Sequence, residues 1–392
     1  MILQSFAISF AMVNLKKWRI PGEIRLIILC FFAFHPIISF FTRAVIKDSI
    51  SSSLLLIFCV QVLEILRKIF YNEKILRLLI QAGCVGFLSA QFRHNNIYIV
   101  AISLCFLTFL KQSKKVKIQC FSVGIVCFFI ASLFSTTLII SFHATKGSAA
   151  EMLSIPFQQT ARYVRDYQSE VTEYERQVID SVLDYNTIGT VYNPLISDAV
   201  KGTYKGDDSK LLEYFKVWST MFLKHPRTYI EAFLGGTYLY YYPFGSVPFG
   251  LAFPNKIETN PAINTGFFDF HYDISDSTVR MFTWNILYLV SKLPGISLLF
   301  HPGTYIWLLL IAAVYAITRK KKTLIFGMIP AAITFLSCIA SPLNGSVRYS
   351  FPLFLMTPII LAFIIYFNPS KMNNASKKIQ SVIHPHSKNN SL

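Results

Sequence analysis

The chain has 392 residues, of which 53% are hydrophobic and 15% charged, with 36 phenylalanines and a formal net charge of +17. That is too apolar and too sparsely charged for a soluble protein of this length. A nucleic-acid partner is not indicated either, because Lys and Arg fall in short loops between apolar runs rather than on one soluble face.

The chain therefore reads as an all-α membrane protein of about nine transmembrane helices. In chain order the apolar runs are 1–13 (short), 24–41, 49–66, 75–91, 96–110, 118–142, 303–318, 323–340 and 348–367. Helices are expected because lipid offers no partner to an open sheet edge. The first run has no basic segment before it and no small-residue cleavage site, so it is a poor signal peptide. It reads as the second half of a helix, as in an N-terminally shortened chain or one whose start lies inside a longer frame.

Basic loops set the orientation. "NLKKWR" (14–19), "RKIFYNEK" (67–74), "KQSKKVK" (111–117) and "RKKK" (319–322) are assigned to the cytoplasmic side. Thr42–Asp48, Gln91–Asn95, the long segment 143–302 and Ser341–Val347 then face outward. Four regions follow: N-terminal membrane helices at 1–142, an extracytoplasmic helical domain at 143–302, C-terminal membrane helices at 303–367, and a disordered basic cytoplasmic tail at 368–392. The expected location is the bacterial plasma membrane.

Most of the acids lie in the long segment. Outside 143–283 the only ones are Glu23, Asp48, Glu64 and Glu73. Within it, "VTEYERQVIDSVLDY" (171–185) has helical spacing, and Thr172 with Glu175 fits a capping box. "SKLLEYFKVWSTMFLKHPRTYIEAFLGGTYLYYYP" (209–243) reads as an amphipathic helix, a break at Pro226 in an N1 position, and a second, more apolar helix. "MFTWNILYLVSKLPGISLLF" (281–300) reads as an interfacial or re-entrant helix, interrupted at Lys292, Pro294 and Gly295. The 7 cysteines lie in or beside apolar runs, which fits simple burial. No nucleotide, zinc-protease or nucleophile-elbow motif occurs.

Chemistry concentrates at the outer helix ends. Asp48 is an acid at the mouth of a helix bundle and a candidate general base. It equally fits an N-cap for a helix starting near Ser49. Lys47, Arg43 and Arg93 are candidate phosphate ligands, although Lys47 also fits a side chain snorkelling to headgroups. Arg93, His94 and Asn95, with Asn96, form a polar cluster between two spans, or a hairpin whose asparagines cap the next helix. Arg348 and Tyr349 stand at the outer end of the last span, as interface anchors or as a phosphate contact. His35 and Pro36 fit a kinked helix with a satisfied histidine. His225 and Arg227 are candidates for a ligand contact or for a turn beside the bilayer. "NGS" at Asn344 matches a glycosylation sequon.

Taken together, "KDS" after an apolar helix, the R-x-N-x-x-Y hairpin (Arg93, Asn95, Tyr98), "HPRTYIEAFLGGTYLYYYP" and "RYSFP" resemble an uncharacterised family of multi-spanning bacterial membrane proteins. That family is similar to the GT-C glycosyltransferase superfamily, and the resemblance covers about 24–367. It implies transfer of a sugar from a polyprenyl-phosphate donor to a cell-envelope acceptor at the outer face. Membrane lipid, the lipid-linked donor and the acceptor would be the partners. The superfamily's usual acid lies in the first outer loop. This chain lacks that loop, and Asp48 stands in the next one. The implied roles are an acid at Asp48 and donor contacts at Lys47, Arg43, Arg93, His94, Asn95, Arg348 and Tyr349. No cofactor is implied, and a divalent metal is left open. An envelope polysaccharide polymerase or flippase and a non-enzymatic membrane scaffold are the alternatives.

Overall fold

The computed structural model describes residues 1–44, 46–143, 147–245, 277–341 and 343–367. The expected tail at 368–392, and the part of the long segment at 246–276, lie outside the described residues. Regular structure among the described residues is helical, with only isolated bridges such as Ile196 to Leu343.

The first half is a bundle of seven helices: α1 (Ile2–Lys17), α2 (Gly22–Phe34), α3 (Pro36–Arg43), α4 (Lys47–Phe70), α5 (Leu76–Phe92), α6 (Asn96–Phe106) and α7 (Lys114–Ser141). At 1.5 Å per residue, α4 is about 36 Å long, enough to cross a bilayer core. It forms the axis of the fold: 94% of its apolar stretch is buried, against 11% for α7. A helix that bare, with Phe121, Phe129, Leu133 and Ile140 exposed along it, suits an apolar surrounding such as lipid.

Among the described residues four helical stretches are long and apolar enough to span a membrane, or five if the bent pair α2–α3 counts as one. Shorter apolar helices are Leu76–Phe92, Asn96–Phe109 and Pro302–Thr318. The apolar run at 24–41 is broken, with a bend of 57° between its halves. Pro36 opens α3, and His35 sits at the break. Its Nε2 lies 3.0 Å from the Leu299 carbonyl and 3.1 Å from the Tyr305 hydroxyl. The expected kink with a held histidine is what the structure contains.

Residues 148–245 fold as a second helical layer. Its main elements are α8 (Ser154–Asp166), α9 (Glu173–Val182), the short α10 (Tyr185–Ile188) and α11 (Asp198–Lys201), α12 (Leu211–Lys224) and α13 (Pro226–Thr237). Phe157, Tyr163, Ile179, Tyr214, Met221 and Tyr229 form its core. The capping box at Thr172 and Glu175 is present in full, and Pro226 opens α13. His225 and Arg227 are engaged within the layer. His225 stacks on Tyr167 and reaches Glu170 at 2.7 Å, and Arg227 reaches Glu231 at 2.7 Å.

The chain returns through α14 (Ser277–Lys292), α15 (Ser297–Phe300), α16 (Pro302–Thr318), a 3-10 turn leading into α17 (Ile329–Ile339), and α18 (Val347–Tyr366). Phe282, Leu289 and Leu293 are exposed along α14 and just beyond it. That fits a helix lying against lipid, and the chain breaks after Lys292 as expected. α18 packs along α4 and α16, and its fully buried Phe351, Phe354 and Phe363 meet the rings of Phe41, Tyr305 and Trp18.

The loop 343–346 fastens the layer to the bundle. Asn344 is 3% exposed. Its Oδ1 accepts from the Leu239 N–H at 3.0 Å, its Nδ2 donates to the Gly235 carbonyl at 2.8 Å, and its own N–H donates to the Leu195 carbonyl at 3.0 Å. The Tyr240 hydroxyl donates to the Leu343 carbonyl at 2.7 Å. Gly345 makes the turn at φ +65°, where a Cβ would meet Leu239 at 2.5 Å. The sequon reading fails here, because the Asn344 amide is buried and both its ends are occupied.

Candidate functional site

The loops assigned to one side by their charge meet at one end of the bundle. Asp48 lies in the first turn of α4, Arg93 between α5 and α6, and Arg348 in the first turn of α18. Arg348 Nε donates to Asp48 Oδ2 at 2.6 Å, and Arg93 Nη1 to Oδ1 at 3.4 Å. The Arg93 guanidinium lies 4.7 Å from the centre of the Tyr349 ring, within cation–π range. The Asp48 side chain is 2% exposed, Arg93 14% and Arg348 49%. A buried carboxylate is thus held between two guanidiniums, one enclosed and one half open to the outside.

The local sequence explains this geometry. α4 begins at Lys47 with Ile46 as its N-cap, and no side chain caps it. Asp48 therefore sits inside the first helical turn, where the helix dipole favours an anion. The N-cap reading is corrected: its oxygens go to arginines, not to the helix's own N–H groups. Beginning the helix one residue before Asp48 also splits the Lys47–Asp48 pair. Neighbours on a helix point about 100° apart and do not share a face. Lys47 is exposed and, with Arg43, lines a separate groove against α1.

Of the candidate residues, Asp48, Arg93, Arg348 and Tyr349 come together. Arg43 and Lys47 form a second group. His94 and Asn95 are exposed and join neither. His94 faces Tyr98, with ring centres 6.4 Å apart. Asn95 occupies the N-cap position of α6 without a side-chain cap bond. The buried asparagine is the next one. Asn96 Nδ2 donates to Ser51 Oγ at 2.6 Å and Ser89 Oγ at 2.7 Å. That bond set joins α4, α5 and α6 one turn below Asp48.

Two of the loops assigned to the other side, 14–19 and 67–74, meet at the opposite end. Glu64 accepts from Lys17 at 2.7 Å, from Trp18 at 2.8 Å and from Arg67 at 2.8 and 2.9 Å. Arg67 also reaches Glu73 at 3.0 Å. Sequence reasoning left Glu64 without partners. Between the two polar ends, Leu54–Val60 of α4 is apolar and buried. Among the described residues no three His, Cys, Asp or Glu side chains gather around one metal position.

A family model described as "Family of unknown function (DUF6020)" matches residues 1–380. The chain belongs to that family. No curated protein matches this DUF6020 chain. No solved structure matches it either.

Chemically, the DUF6020 cluster carries a net positive charge: two guanidiniums against one carboxylate. Arg348 has donors beyond Nε, and a half-open guanidinium forks naturally onto a phosphate. An anion taking Arg348 would free one oxygen of Asp48. A second cavity of about 770 Å³ lies by the N-terminal half of α16, lined by Tyr238, Tyr241, Phe244, Trp307 and Ile311 among others.

Proposed function

We propose that this chain is a GT-C-like integral membrane glycosyltransferase. It transfers a sugar from a polyprenyl-phosphate donor to a cell-envelope acceptor. In this reading the chain crosses the bacterial plasma membrane nine times, with the helices shorter than a full bilayer width crossing at local thinnings. The 143–302 segment and the Asp48 end lie outside.

One observation carries the reading: a buried acid shared by two arginines, one of them half open, at the end where separate outer loops converge. Charged groups at membrane depth lean toward function. The donor phosphate draws Arg348 off Asp48. The freed carboxylate oxygen takes the proton of the acceptor hydroxyl as that oxygen attacks the anomeric carbon. The carbon–oxygen bond to phosphate breaks, and polyprenyl phosphate leaves with the electron pair, its charge held by Arg348 and Arg93. The aromatic cavity by α16 suits the donor's isoprenoid chain.

The scaffold reading draws on the enclosure of Asp48, whose two oxygens are both bonded. The apolar stretch Leu54–Val60 speaks against a polar transport path along α4. The deciding experiment is transfer of a radiolabelled sugar from a short-chain polyprenyl-phosphate donor by the full chain in lipid nanodiscs. Wild-type turnover abolished by Asp48→Asn supports the transferase. A folded wild type with no transfer across a panel of donor sugars leaves the scaffold.

A further inference from the structure

The groove on the other side of α4 differs from the Asp48 cluster in charge and lining. It encloses about 610 Å³, and its walls include Gln4, Arg43, Ile46, Lys47, Ile50 and Phe92. That volume is in the range of small-ligand pockets, about 300–1,000 Å³. Arg43 and Lys47 are exposed there with no ion-pair partner among the described residues. Among the described residues no carboxylate lines the groove.

Gln4 is the unusual wall residue. It is 3% exposed, and its amide Nε2 makes one long bond of 3.4 Å to the Ile38 carbonyl. Its Oε1 is buried without a hydrogen-bond partner. A buried acceptor left bare is costly unless a ligand or water completes it. Ile50 at 37% exposure and Phe92 at 38% offer apolar surface beside the cations.

From this geometry we infer that the groove is a binding site for an anionic phospholipid of the bilayer, one whose headgroup bears a hydroxyl. Arg43 and Lys47 hold the phosphate. Gln4 Oε1 accepts from the headgroup hydroxyl, and an acyl chain lies along Ile46, Ile50 and Phe92. The lipid is bound and not consumed, because among the described residues no His, Cys, Asp or Glu lines the groove to react with it. It joins α1 to the α3–α4 corner. The inference stands apart from the proposed transferase activity and does not depend on it.

The test is native mass spectrometry of the delipidated full chain, titrated with phosphatidylglycerol and with phosphatidylcholine of the same acyl chains. Each cation near a membrane surface contributes roughly a five-fold gain in anionic-lipid affinity, so the pair predicts a preference of about 25-fold for phosphatidylglycerol. Arg43→Gln with Lys47→Gln should bring the two lipids level. The charge-keeping swap Arg43→Lys with Lys47→Arg should retain the preference and guards against misfolding. Equal binding of both lipids by wild type overturns the inference. So does a preference that survives the double glutamine change or is lost in the charge-keeping swap. Displacement of phosphatidylglycerol by short-chain polyprenyl phosphate, mole for mole, also overturns it, since the groove would then belong to the donor.

Discussion

Replacing Glu64 by glutamine tests whether the Glu64 ion cluster holds the bundle together. The Glu64 side chain is 5% exposed and takes bonds from Lys17, Trp18 and Arg67. Glutamine removes the charge and turns an acceptor oxygen into an amide that faces donors. Removing one partner from a buried ion pair costs about 3–5 kcal/mol. The figure here is lower. Arg67 keeps Glu73, and Lys17, 51% exposed, turns to water. We expect a loss of about 2–3 kcal/mol. The assay is reversible unfolding of the full chain in mixed micelles, followed by helix circular dichroism. In a double-mutant cycle, Glu64→Gln and Arg67→Met should couple by about 2 kcal/mol. A Glu64→Gln protein within about 0.5 kcal/mol of wild type, or additive single changes, would refute the reasoning.

Other consequences follow from the helical layer at 148–245. Asn344→Ala leaves the Leu239 N–H and the Gly235 carbonyl without their partner. It should cost about 1–3 kcal/mol and raise hydrogen exchange across 235–240 before the rest of the chain opens. In a glycosylating host, the wild-type chain should carry no glycan at Asn344. Acid should loosen the layer at Glu175. Burial pushes that carboxyl up, but hydrogen bonds from Lys224 and Thr172 outweigh it and hold the group below its ordinary value of 4.5. A lowered carboxyl stabilises above the unfolded value and loses that contribution as pH falls through the folded one. Protection of α9 and α12 should therefore drop on acidification below about pH 4.5. Glu175→Gln should be less stable at pH 7 and flatter against pH.

Much of the architecture was legible in the sequence, because it rests on local signals. Apolar runs marked the helices long enough to cross a membrane, and the basic loops separated the connections at the Asp48 end from 14–19 and 67–74 at the Glu64 end. The capping box at Thr172 and the helix start at Pro226 needed only a few neighbouring residues. The site was less legible. Arg348 reaches Asp48 across 300 positions, and no periodicity reports a contact of that separation. Lys47 and Asp48 looked like one functional pair. Their separation turned on whether the helix began before or after them. Asn344 matched a glycosylation sequon, and its burial under the helical layer was not legible from that motif. The polar asparagine that matters for packing is Asn96, not its exposed neighbour Asn95.

The central claim is that Asp48 holds Arg348 and Arg93 ready for a lipid-linked phosphate. The most direct test is the affinity of short-chain polyprenyl phosphate for the full chain in nanodiscs, for wild type, Arg348→Gln and Asp48→Asn. The account predicts saturable wild-type binding and a loss of about ten-fold or more in Arg348→Gln, as for a charge-assisted pair worth roughly 1.5–3 kcal/mol. It predicts equal or tighter binding in Asp48→Asn, because the arginines are then released from their carboxylate. Absent wild-type binding, or an Arg348→Gln protein that binds like wild type, would contradict it and leave the cluster as a clamp between α4 and α18.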